Sequence, residues 1–87
     1  VWRAPIGCTC TKLEGRQKGG TSTVINARYN GTTDVATADL TLTAANQWYD
    51  TTGIAQTAWS ATDWLEFEVQ TLGGATEITF VLTFTEP

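Results

Sequence analysis

Histidine and methionine are absent from this chain, cysteine and proline occur twice each, and only five residues carry a positive charge. The missing histidine removes the side chain best suited to proton transfer near neutral pH and the commonest metal ligand. It also excludes Ser-His-Asp and Cys-His nucleophilic sites. Cys8 and Cys10 fall short of a four-ligand zinc site, and no cofactor is expected. On one strand their Cα atoms would lie about 6 to 7 Å apart, at the margin of disulfide geometry. They read as small packing residues. Five cations against nine carboxylates give a net charge of −4. That balance repels phosphate backbones, so nucleic acid is not expected as a partner. The run from Lys12 to Lys18 reads as a solvated face. No apolar run approaches the roughly 18 residues of a membrane helix and no signal peptide is visible, so membrane insertion is not expected. The start at Val1 without methionine reads as processing, or excision from a longer polypeptide.

What the chain does have is threonine, 18 residues in 87. Threonine is β-branched and suits a pleated strand better than a helix. Residues 61 to 85 show the clearest pattern. Leu65, Phe67 and Val69 alternate with Glu66, Glu68 and Gln70. A Leu72-Gly73-Gly74-Ala75 turn leads into Ile78, Phe80, Leu82 and Phe84, which alternate with Glu77, Thr79, Val81 and Thr83. Successive side chains on a strand point to opposite faces, so each run puts large apolar residues on one face and polar ones on the other. The segment is predicted to be a β-hairpin.

Upstream, residues 1 to 6 form a lead-in segment or edge strand, and residues 8 to 17 a strand whose alternation slips between Cys10 and Leu13. A bulge near Thr11-Lys12 restores its inward phase. Lys18-Gly19-Gly20 is a turn, residues 21 to 29 a strand, and Asn30-Gly31 a type I′ hairpin turn. Weaker strands are predicted at 33 to 38, 39 to 43 and 54 to 59. The class is an all-β, antiparallel β-sandwich, jelly-roll-like, of about eight short strands, with residues 1–87 forming a single domain. A chain this short buries a modest core, so association with other subunits is expected.

Five aromatic residues, Trp2, Trp48, Tyr49, Trp59 and Trp64, are the candidate interface or ligand contacts, because Trp and Tyr join a flat apolar ring to a polar tip. Trp64, out of phase with Leu65, should face away from the inner layer. Trp48 and Tyr49 should place one ring on each face. Core or subunit contact is favoured over stacking on sugar rings. Glu66 and Glu68, roughly 7 Å apart on one strand face, and Asp63 nearby could in principle form a glycosidase pair. Alternating glutamates are the ordinary solvated face of an amphipathic strand, and that reading takes precedence.

The motifs Gly7-Cys8-Thr9-Cys10-Thr11-Lys12-Leu13, Gly19-Gly20-Thr21-Ser22-Thr23, Tyr29-Asn30-Gly31-Thr32, residues 61 to 69 and Leu72-Gly73-Gly74-Ala75-Thr76 together resemble a known family. It is the small jelly-roll β-sandwich domain of tailed-bacteriophage virion proteins, found in tail fibres and receptor-binding proteins, with similar sandwiches in capsid decoration and head-fibre proteins. The family's usual Ala-Gly-Asp stands here as Ala61-Thr62-Asp63, a departure at the glycine. The resemblance implies a non-enzymatic structural or adhesive role on the virion, as a homotrimer in contact with other virion proteins and with host surface glycan. The alternative expectation is a carbohydrate-binding module using Trp48, Tyr49 or Trp59.

Overall fold

The computed structural model describes residues 2–86; Val1 and Pro87, within the predicted domain bounds, lie outside the described residues. Among the described residues, nine strands form two antiparallel sheets: β1 (Trp2–Arg3), β2 (Cys8–Lys18), β3 (Thr23–Tyr29), β4 (Thr33–Asp34), β5 (Leu40–Leu42), β6 (Trp48–Thr51), β7 (Ala58–Trp59), β8 (Trp64–Thr71) and β9 (Glu77–Thr85). In one sheet β3 is central, with β8 on one edge and both β5 and β4 on the other; β1 adds to the far edge of β8. In the other sheet β2 is central, with β9 on one edge and both β6 and β7 on the other. The fold is an antiparallel β-sandwich. Its jelly-roll-like element is the pairing of the first long strands with the last, β2 with β9 and β3 with β8, each pair in a different layer.

The expected bulge is present, since the β2–β9 register shifts between Cys10 and Lys12. The extra residue lets Cys10 and Leu13 both point into the core. Asn30 and Gly31 have φ of 51° and 74°, and Thr32 N–H donates to the Tyr29 carbonyl at 3.1 Å, the geometry that a type I′ turn requires. The weaker strands are shorter than predicted: 33 to 38 reduces to β4, and 54 to 59 to β7 plus a bridge between Ala36 and Ile54. Asn26, buried in β3, explains part of this. Its side-chain oxygen accepts from Ala36 N–H at 3.1 Å and its amide donates to Asp39 Oδ1 at 2.9 Å, holding residues 35–39 as a loop across the sheet.

The predicted terminal hairpin is a correction. β8 and β9 do not pair; residues 72–76 carry the chain from one layer to the other as an arch. The β2–β3 connection is a second arch and the β5–β6 connection a third, all at one end of the sandwich. Their backbones are hydrogen-bonded side by side. Thr21 N–H donates to the Gly73 carbonyl and Thr76 N–H to the Lys18 carbonyl, both at 2.9 Å, and Asn46 N–H donates to the Gln17 carbonyl at 2.8 Å. Approach is so close that a Cβ on Gly20 would lie 2.5 Å from the Ala75 nitrogen. Beneath the arches the buried Gln17 donates to the Leu42 carbonyl at 2.5 Å, while the Thr23 hydroxyl sits between Gln17 Oε1 and the Leu72 carbonyl. The Gln17–Thr23 pair thus ties all three arches.

The main core lies between the layers: Leu13, Ile25, Ala27, Val35, Leu42, Trp59 and Leu65 are buried. Phe67 and Val69, expected inside with Leu65, are 44% and 42% exposed. They face the opposite layer, but beside a margin of the sandwich that no further strand covers.

Candidate interface at the open side of the sandwich

One side of the sandwich is closed by β4, β5, β6 and β7; the other ends in β8 and β9. Among the described residues nothing pairs with the outer edge of β9, and β8 has a partner there only at Trp64 and Leu65, through β1. Between these edges the inner side chains meet across an open seam. Phe67 stacks on Phe80 with ring centroids 4.4 Å apart. A cleft of about 330 Å³ follows, lined by Trp2, Leu65, Phe67, Leu82 and Phe84. A small-molecule site normally adds a few polar groups that fix orientation. These five linings offer almost none, which suits burial against another protein surface.

The five aromatics chosen from sequence scatter over the molecule. Trp2, 40% exposed, stacks on Phe84 at 5.0 Å and closes one end of the seam. Trp59 lies behind it, buried, edge-on to Tyr29 at 4.8 Å and to Phe84 at 5.3 Å, with its indole N–H donated to the Gln56 carbonyl at 2.9 Å. It is core. Trp64 faces outward, as its phase implied, and is half covered because the β3–β4 turn passes over its ring at Gly31. Trp48 and Tyr49 occupy β6, at the opposite margin. They split as expected: Trp48 is 53% exposed, while the Tyr49 hydroxyl accepts from Ala44 N–H at 3.0 Å beneath the third arch. No two of Trp48, Tyr49 and Trp59 form a shared exposed row.

The seam residues missed from sequence are Phe67, Val69, Phe80, Leu82 and Phe84. Alternation puts each of the five on the apolar face of its strand, and among the described residues no further long strand covers β8 and β9.

Asp63 and Glu68 have structural partners. Asp63 accepts from the Tyr29 hydroxyl at 2.6 Å, from Ser60 N–H at 2.9 Å and from the Asn30 amide at 3.2 Å. The Tyr29 hydroxyl foremost, then the Ser60 N–H, holds its carboxyl below the usual range, and the same bond raises Tyr29. Asn30 Oδ1 in turn accepts from Trp64 N–H at 2.9 Å, so this cluster joins the β3–β4 turn to the start of β8. Glu66 and Glu68 lie on the outer face, Glu68 against Arg28 with Nε and Oε2 2.6 Å apart, an ion pair rather than an aligned hydrogen bond. Within the Lys12–Lys18 run, Lys12 is paired with Glu14 at 3.3 Å and Lys18 with Glu77 at 3.5 Å. Cys8 and Cys10 are free thiols, both raised by burial, Cys10 to about 11.

The geometry therefore defines a class: a small β-sandwich with one finished side and one apolar, unpaired side. No protein family, curated protein or solved structure matches the chain.

Proposed function

We propose that this chain is a non-enzymatic structural domain of a tailed-phage virion, in a capsid decoration or a head or tail fibre. It works by association, as a homotrimer that also touches other virion proteins. The observation that carries the association is the open side, where two unpaired strand edges flank a seam of Trp2, Phe67, Val69, Phe80 and Phe84. Exposed edges and contiguous apolar patches are liabilities unless covered, and covering both with one contact is what a subunit interface does. The virion setting comes from the sequence resemblance alone. Light scattering after gel filtration, over a dilution series, tests the association: a mass about three times the 9.4 kDa of one chain is expected. A well-folded monomer at every concentration would overturn it. Host glycan, if bound as well, would use a surface away from the seam, where Trp48 is the exposed ring.

A further inference from the structure

We infer that the free edge of β9 in one copy pairs antiparallel with the free edge of β8 in the next, so that the seams of all copies merge into one shared core. The inference rests on the reading of this chain as a self-associating domain, and it assigns the occupant of each edge. β8 and β9 lie in opposite layers on the same side of the sandwich and run in opposite directions. Phe67 is level with Phe80. Counting outward from that pair, Glu68 is level with Thr79 and Glu66 with Val81 on the outer faces, while Leu65 is level with Leu82 and Val69 with Ile78 inside. Rotation about an axis parallel to the strands preserves these levels. It brings β9 of one copy beside β8 of the next in antiparallel orientation, with the same residues opposed.

Charge selects this arrangement over its competitors. Pairing β8 with a second β8 sets Glu66 against Glu68, or Glu68 against itself, and like charges directly opposite destabilise a ladder. Pairing β9 with a second β9 leaves both β8 edges bare and facing each other. In the β8–β9 contact every glutamate of β8 meets threonine or valine, and both edges are used at once. β9 also carries none of the usual edge-blocking devices, having no proline, no lysine and no bulge of its own between Glu77 and Thr85. β1 already occupies the edge at Trp64 and Leu65, so it stops the incoming strand near Val81 and fixes the register.

Disulfide cross-linking tests the contact. In a Cys8→Ser background, Glu68→Cys and Thr79→Cys are introduced together, and Val81→Cys is made separately. Oxidation of the native assembly, read on non-reducing gels beside light scattering, should link the double variant into a closed species. Its copy number should equal that of the native assembly, three in the reading above, and Glu68→Cys and Thr79→Cys alone should stay unlinked. A native oligomer whose double variant forms no inter-chain disulfide overturns the contact, as does a disulfide dimer from Val81→Cys alone, which marks β9 against β9. A native monomer removes the association reading, and the contact with it.

Discussion

Replacing Thr62 by glycine should stabilise the folded chain. Thr62 has φ of 75°, in the left-handed region, where a β-branched side chain is a true outlier. It is the third residue of the turn Ser60–Asp63, closed by Asp63 N–H donating to the Ser60 carbonyl at 3.1 Å. A turn with positive φ at that position calls for glycine. This conformation costs an L-residue about 1 to 2 kcal/mol. Glycine removes that strain and gives back about 0.4 to 1 kcal/mol through the greater freedom of its unfolded chain. The side chain is exposed, so nothing packed is lost, and both backbone bonds remain, including Thr62 N–H to the Ala4 carbonyl at 2.8 Å. The midpoints of these ranges leave a net gain of about 0.8 kcal/mol, which raises the melting temperature by about 3 to 6 °C in a domain of this size. Urea unfolding followed by tryptophan fluorescence, at one fixed protein concentration because association shifts apparent stability, measures it. Thr62→Ala keeps the Cβ and should gain little. Loss of stability in Thr62→Gly, or an equal gain in Thr62→Ala, would refute the argument that backbone strain sits at this residue.

Gly15→Ala should act in the opposite direction, because the added Cβ would lie 2.5 Å from Ile25 Cδ1 and 3.1 Å from a Leu42 methyl in the centre of the core. Overpacking of this kind costs about 1 to 3 kcal/mol, read as a lower urea midpoint. Acid titration of stability should show the Asp63 cluster. Its carboxyl lies below the ordinary 3.8 in the folded chain. The stabilisation is therefore complete above that value and lost as pH falls through the lower folded one. Asp63→Asn should flatten that part of the curve, and an unchanged acid limb would show that the cluster contributes nothing.

The sequence carried local geometry well and partnership poorly. The slipped alternation between Cys10 and Leu13 located the β2 bulge, Asn30-Gly31 located its hairpin, and phase alone set Trp48 and Tyr49 on opposite faces. Each follows from residues within a few positions of one another. Partner choice does not. Two alternating runs joined by Leu72-Gly73-Gly74-Ala75 fit a hairpin or an arch equally, since both put the apolar residues on one face of each strand. The arch forms because β9 pairs with β2 and β8 with β3, strands far earlier in the chain, and no local pattern encodes those partners. The short strands were overdrawn because the buried Asn26 claims the backbone of Ala36, a competition that no local pattern encodes. The open side is not legible for a related reason: Phe67 and Val69 have the right phase for a core, and phase says nothing about whether another strand lies beyond.

The pairing of β2 with β9 also sets when this protein can fold. Thr9 lies opposite Thr85 and Lys18 opposite Glu77, so the two long strands of one layer are contributed by residues 8–18 and 77–85. During synthesis β2, β6 and β7 reach the cellular environment with the principal edge of their layer empty, and it stays empty until β9 has been made. Such distant pairing folds slowly and leaves strand edges exposed in the interval. The first encounter of a newly made β9 is therefore a competition between its own β2 and the edges of neighbouring chains.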